Sequence, residues 1–377
     1  MRAISSLLIS LTLAAKAAAT PDYPLHPSAD GRYVVDNNNV PFLIIGDAPH
    51  SIPANINSAD ATTYLTDRGQ RGFNALRSTD SNRLITIELD YPVSESQDDA
   101  NFIPRINTNG VYTYYPTYAE TYVAYNKPTI MPVLFLEENY EDEDNVGELG
   151  TPFVLRHQEY WSLTAGASAG HIYGSYWIDR FDPAWQQHLS SQCVTELGYF
   201  KDFFTSISFQ ALEPDQNHSL LTAGYGTYDD SNVHLSQVDY ATAAKSSDGS
   251  LAVIYTPVAH TLTVAMGNFA GPVIAKWFDP TNATLQTIAG SPFPNQGSHN
   301  FTTPGNNSGG DPDWVLLFQA QAGGTPTPTP TTQPTPTPTQ TATPTPTASP
   351  RVTPRPRPSP RSRPTPAPRH SSSAASN

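Results

Sequence analysis

Two short stretches restrict the fold of this chain more than anything else in it. "PFLIIGD" (Pro41–Asp47) and "PVLFLE" (Pro132–Glu137) are unbroken apolar runs that each end in an acid. A strand with one wet face alternates apolar and polar residues. A strand that is apolar throughout needs cover on both faces, as in a parallel sheet flanked by helices. After the first run, "SADATTYLTDRGQRG" reads as a helix, with Ser58 as N-cap and Tyr64, Leu65 and Arg68 at helical spacing. "FNALRS" follows as a second strand. Strand, helix and strand within about 35 residues make a βαβ unit.

The pattern continues as far as Leu212. "RLITIELDY" alternates, with Ile85, Ile87 and Leu89 on one face and Thr86, Glu88 and Asp90 on the other. "NGVYTYYPTYAETYVAYNK" runs through a tyrosine-rich stretch into a helix. "TPFVLRHQEYWSLTAGASAG" reads as a helix ended by Gly170, followed by "HIYGSYW". "PAWQQHLSSQCVTELGYFKDFFTSI" reads as one long helix with Pro183 at its start. From Glu213 the helices stop. Short strands such as "LAVIYTP", "LTVAMG" and "DWVLLFQ" recur between turn residues, and "SDGS" (Ser247–Ser250) is a hairpin turn. This spacing predicts an antiparallel β-sandwich of ~100 residues.

Neither end belongs to these folded parts. Arg2 precedes "ISSLLISLTLAA" and then the small residues "AKAAAT", the layout of an export signal over residues 1–20. No later run reaches the ~20 apolar residues that span a bilayer, so the chain is expected to be secreted or periplasmic. Residues 322–377 are rich in Pro, Thr and Arg, with six Arg and no acid. Proline at nearly every second position predicts an extended, disordered spacer, with contact to anionic cell-wall polymers as a second role. The whole chain carries 20 basic and 34 acidic residues, so the folded part is strongly acidic, which argues against nucleic acid as a partner. Cys193 is the only cysteine; no intramolecular disulfide forms, and a packing role is expected for it.

Acids that close buried parallel strands sit where α/β barrels keep their reactive groups, at the C-terminal rim. This places Asp47, Asp90 and Glu137 on one rim if all three strands are parallel. Cleavage of a glycosidic bond commonly uses two carboxyls, ~5 Å apart for retention and ~6.5–9.5 Å for inversion. Glu138, Glu141, Asp142, Glu143 and Asp144 read as a solvated acidic loop, with cation binding as the alternative. Tyr112, Tyr114, Tyr115, Tyr118, Tyr140, Tyr160, Trp161, Tyr173 and Trp177 lie in or beside the expected rim loops, where aromatic faces stack on sugar rings; at least half of them are expected in the core. His50 and His171 read as substrate hydrogen-bonders, because no metal-type spacing groups them. No metal or cofactor is expected.

At this point the chain resembles a known family. "GRYVVDNNNVPFLIIGDAPHSI", "YLTDRGQRGFNAL", "IELDYPVSESQDD", "MPVLFLEENYEDE" and "LRHQEYWSLTAGASAGHIYGSYW" are similar to the apiosidase-like glycoside hydrolases. "LEPDQNHSLLTAGYGT", "AKWFDPTNATLQTIAGSPF" and "DWVLLF" resemble the β-sandwich that follows in that family, often labelled collagen-binding. The resemblance implies a (β/α)8 TIM-type barrel and retaining cleavage of a sugar linkage, with apiosyl side chains of pectin the best-known target. It implies Glu137 as nucleophile and Asp47 as a substrate contact, with Tyr140 and Glu141 in the same motif. His50, Asp90, Tyr112, Tyr114, Tyr140, Glu141, His171 and Trp177 complete the expected substrate-binding set.

One departure stands out. In the family a long central portion separates the "GFN" strand from the "IELDYP" strand and carries the acid/base Asp. Here "GFNALRSTDSNRLITIELDYP" joins them directly. The expected architecture is therefore an incomplete barrel over 21–212, about three βα units short, a β-sandwich over 213–321 and the tail over 322–377. The family's acid/base has no counterpart, leaving Glu88 or Asp90 as a substitute. Two functions follow as expectations: a glycoside hydrolase impaired by that loss, or a non-catalytic carbohydrate- or matrix-binding protein that works through its sandwich.

Overall fold

The structure, a computed structural model, describes residues 20–76 and 84–321. The export-signal reading, the proline-rich tail and the junction around Arg83 lie outside the described residues. The elements of the first part are β1 (His26–Pro27), β2 (Val34–Val35), β3 (Ile44–Asp47), α1 (Ile52–Asn55), α2 (Ser58–Gln70), β4 (Ala75–Leu76), β5 (Val93–Glu95), β6 (Asn109–Thr113), α3 (Thr117–Tyr125), β7 (Val133–Glu137), α4 (Pro152–Thr164), β8 (Gly170–Tyr173), α5 (Tyr176–Asp179) and α6 (Gln192–Thr205). The second part holds β9 (Leu212–Pro214), β10 (Leu221–Ala223), β11 (Thr242–Ser246), β12 (Leu251–Thr256), β13 (Thr261–Ala265), β14 (Val273–Asp279), β15 (Thr284–Thr287), β16 (Ser298–Thr302) and β17 (Trp314–Ala320).

Six strands of the first part form one sheet in the order β4-β3-β8-β7-β6-β5. The first five are parallel, and β5 runs antiparallel beside β6. The apolar runs are explained by cover on both faces. Val133 and Phe135 of β7 pack with Val111, Ala124 and Ala167 on the helix side. Leu134 and Leu136 pack with Ile44, Ile172 and Val34 on the other. Gly46 interrupts "FLIIGD" because a Cβ there would lie 2.3 Å from the Ile172 side chain.

Local chemistry sets the helix ends. Asn57, not Ser58, caps α2: its side chain accepts from the amides of Ala59 and Asp60. Thr151 caps α4, and that helix stops at Thr164, ahead of Gly170, which instead opens β8. The predicted helix from Pro183 divides into a 3-10 turn at Trp185–His188 and α6, because Ser191 caps the amide of Val194 and restarts the chain as a helix.

Two expectations for strands fail. Residues 84–89 form no strand, and Asn109–Thr113, read as the approach to a helix, is β6. Alternation alone makes no strand without a ladder partner. The backbone of residues 85–87 bonds instead with Asn107, through both its backbone and its side chain, and with the side chain of Ser96.

The second part has a six-stranded sheet, β15-β14-β17-β12-β11-β9, and a three-stranded sheet, β10-β13-β16, with every pairing antiparallel. The "SDGS" hairpin joins β11 to β12. Ala252, Ile254, Leu316 and Phe318 pack with Leu262, Val264 and Phe301 of the smaller sheet. Val253, Tyr255, Val315 and Leu317, on the opposite face, share one core with Leu155, Trp161, Phe200 and Phe204 of α4 and α6. The central strands of the large sheet are therefore buried on both sides, and helices of the first part form one of their covers.

Candidate active site

β7 carries the decisive irregularity. Val111 pairs with Phe135, but the next residue of β6, Tyr112, pairs with Glu137, so β7 holds one extra residue. Strict alternation would send Glu137 to the helix side with Val133 and Phe135. The bulge re-aims it to the side of Leu134 and Leu136, level with Tyr112. Glu138 is thereby turned into the protein, where it is fully buried.

Around half-buried Glu137 lies an aromatic cluster. Tyr112 and Tyr114 have ring centroids 5.4 Å apart, and Tyr91 stands 6.5 Å from the first and 5.5 Å from the second. Burial raises the pKa of both Tyr112 and Tyr114, and the charge of Glu137 adds to it in each case. Glu88 acts on Tyr112 as well, and Glu143 on Tyr114. Asn145 donates from Nδ2 to Tyr114 Oη at 3.1 Å. Glu143 is half-buried; burial, then Asp179, then Glu137 push its carboxyl up, against an Asn145 hydrogen bond and Arg180. The set has what a sugar site needs: aromatic faces, hydroxyls and several carboxyls around one strand end.

Other predicted residues sit beside this cluster. His50 Nδ1 is 2.9 Å from Asp179 Oδ1, and its ring is 6.2 Å from that of Tyr140. Tyr140 is buried against glycine, since a Cβ on Gly174 would fall 2.2 Å from its ring. Trp177 donates to Asp142 at 3.0 Å and stacks on His188, with centroids 4.4 Å apart.

Several expectations are corrected. Asp47 closes β3 but points to the helix side. It has no exposed surface, accepts from Arg68 Nε at 2.5 Å and Tyr64 Oη at 2.6 Å, and so ties α2 to the sheet. His171 is buried, with Nε2 2.9 Å from Glu138 Oε1. Glu141 is buried and accepts from Tyr173 Oη and, at 2.8 Å, from Ser191 Oγ. Asp90 is exposed and follows no strand, so no shared rim joins it to Asp47 and Glu137. The acidic run is not one solvated loop: Glu138 and Glu141 are interior, while Asp142 and Asp144 are exposed. Among the described residues no group of three or more His, Cys, Asp or Glu side chains is placed to hold a metal ion. Tyr118, Tyr160, Trp161 and Tyr173 are core residues. Sequence reasoning missed Tyr91, Asn145 and Asp179 as neighbours of the site, and read Glu143 only as part of a solvated acidic loop or a cation-binding group.

Comparison with known proteins bears on this arrangement. Residues 28–79 and 75–211 match the family model "Apiosidase-like, catalytic domain". Residues 28–211 belong to the apiosidase-like family. Residues 230–319 match the model "Putative collagen-binding domain of a collagenase". No curated protein matches the chain. Two solved structures share the fold of this apiosidase-like chain at 16% identity and 78% coverage of it. One is titled a glycoside hydrolase, covered over 96% of its length at a TM-score of 0.64. The other is a glycoside hydrolase family 5 structure from Bacteroides vulgatus, covered over 93% at a TM-score of 0.66.

Proposed function

We propose that this chain is an exported glycoside hydrolase that acts on side chains of pectin-like plant polysaccharides, with Glu137 as its carboxylate nucleophile. The observation that carries the reading is the bulge in β7, which brings the family's nucleophile position out of the helix layer and level with Tyr112. In the strand order β4-β3-β8-β7-β6, we read strands 2-1-8-7-6 of an eight-stranded barrel that lacks strands 3 to 5. The family match supports this, since its two stretches meet at residues 75–79, where the family's central portion would stand. Antiparallel β5 then covers the edge of β6 that a fifth barrel strand would occupy.

In this mechanism Glu137 attacks the anomeric carbon as the glycosidic C–O bond breaks, and water later releases the sugar from the covalent intermediate. Tyr112 and Tyr114 offer faces and hydroxyls to the ring being cleaved. Export would follow from the N-terminal signal, and the cationic tail would rest on the cell wall. The test is release of sugar from apiose-bearing pectic oligosaccharides by the full chain. Glu137→Gln should lower the rate by about 10⁴-fold or more. Equal rates for both proteins would remove Glu137 from the chemistry, and no release by wild type would end the hydrolase reading.

The match of residues 230–319 favours a second reading, a sandwich that binds carbohydrate or matrix without catalysis. Here the full-length Glu137→Gln chain would bind pectin or collagen as tightly as wild type, and wild type would release no sugar.

A further inference from the structure

The family's acid/base position is lost at the junction, yet a leaving sugar oxygen needs a proton, a contribution of ~10²–10⁴ in rate. Tyr114 shows where another donor sits. Its hydroxyl feels two carboxyls, Glu137 from the strand end and Glu143 from the turn that follows. That turn is well held. The Glu143 amide donates to the Tyr140 carbonyl at 3.1 Å, the Gly150 amide donates to the Glu143 carbonyl at 2.8 Å, and the Asp142 amide donates to the Gly150 carbonyl at 2.9 Å. Asn145, two residues after Glu143 in the same turn, donates from Nδ2 to Tyr114 Oη at 3.1 Å, which ties the turn carrying Glu143 to the aromatic cluster.

We propose that Glu143 is the general acid of this site: a replacement from the loop after β7 for the donor that the family carries on its central strands. The assignment rests on the hydrolase reading above. Glu143 gives its proton to the glycosidic oxygen as the C–O bond breaks and Glu137 bonds the anomeric carbon. In the second step its carboxylate takes a proton from the attacking water, which restores both groups. The surroundings suit the role. Glu137 and Asp179 face Glu143 with negative charge, Asn145 and Arg180 act against them, and His50 pairs with Asp179. Burial together with that balance holds the carboxyl protonated to higher pH than an ordinary glutamate.

Two aryl apiofuranosides test this on the full chain. Phenolate is a poor leaving group that needs protonation, and dinitrophenolate is a good one that does not. Glu143→Gln should lower kcat/KM on the phenyl glycoside about 10²–10⁴-fold and on the dinitrophenyl glycoside less than about tenfold. The wild-type pH profile on the phenyl glycoside should fall on its alkaline side, and that fall should be absent for the dinitrophenyl glycoside. Equal losses on both substrates, no loss on either, or the selective loss in Glu88→Gln instead would overturn the assignment. If Glu143→Gln does not fold, the two wild-type pH profiles decide alone, and matching alkaline limbs refute it. Inactivity of wild type on both glycosides fails the hydrolase reading itself. Activity abolished by Glu137→Gln but unselectively altered by Glu143→Gln fails only this one.

Discussion

Glu138 Oε1 lies 2.9 Å from His171 Nε2, and both side chains are buried. The protons can be assigned. Ser162 Oγ donates to the Glu159 carbonyl at 2.8 Å, so it accepts from His171 Nδ1 at 3.3 Å. A neutral ring that donates from Nδ1 accepts at Nε2, which makes Glu138 the donor and a carboxylic acid. Burial favours the same state, raising Glu138 well above the usual range and lowering His171 to about 3. A raised carboxyl contributes stability below its unfolded pKa of about 4.3 and loses it as pH rises. Glu138→Gln keeps a donor and removes the titration. Its unfolding free energy relative to wild type should climb from pH 5 to pH 8, at up to about 1.4 kcal/mol per pH unit. A difference that stays flat across that range would show that Glu138 is not held protonated.

Asp47 and Arg68 make a buried ion pair, with Tyr64 as a third partner. Breaking one side of such a pair costs about 3–5 kcal/mol, because the other charge stays buried. Asp47→Asn should therefore lower the unfolding free energy from denaturant titration by that amount and leave KM of the remaining folded protein unchanged. A raised KM with unaltered stability would restore Asp47 as a substrate contact.

Arg156 joins the two parts of the chain. From α4 it reaches Glu196 at 2.6 Å, Asp311 at 2.6 Å and Asp313 at 2.9 and 3.0 Å. Arg156→Met should destabilise the whole protein by about 3–5 kcal/mol. Residues 213–321 expressed alone would expose Val253, Tyr255, Val315 and Leu317, and should show no cooperative thermal transition. A sharp transition in that fragment would make the second part an independent domain.

Glu120 lies half-buried in a cleft of about 330 Å³ beside α3, with Tyr115, Tyr228 and Asp230 in the lining. Burial, then Asp98 and Glu95, push it up to about 7. Its contribution to stability is full below about pH 4.3 and lost as pH rises to about 7. Glu120→Gln should match wild type at pH 4 and exceed it by about 1–3 kcal/mol at pH 8, measured by denaturant unfolding. Equal stability at pH 8 would mean that Glu120 ionises freely.

Much of the architecture was legible in particular residues. The runs ending at Asp47 and Glu137 announced buried parallel strands, and Tyr64 and Arg68 marked the buried stripe of α2. Asn109–Thr113 was missed because tyrosines suit a strand and a helix approach equally well. Residues 84–89 were misread because alternation says nothing about whether a neighbour exists to complete the ladder. His171 looked like a site residue because it lies just past a helix, and Glu141 because it shares the family motif with Glu137, while their partners, Glu138 and Ser191, are distant in the chain or turned inward.

From the order of residues alone came the layers, the change to antiparallel strands after Glu213 and the acid at the end of β7, since period and apolar content are local properties. Which of two adjacent glutamates meets solvent and which meets a histidine was settled only in three dimensions. That choice depends on one extra residue in β7, and a bulge exists only where the hydrogen-bond register of a neighbouring strand, here β6, slips by one against it.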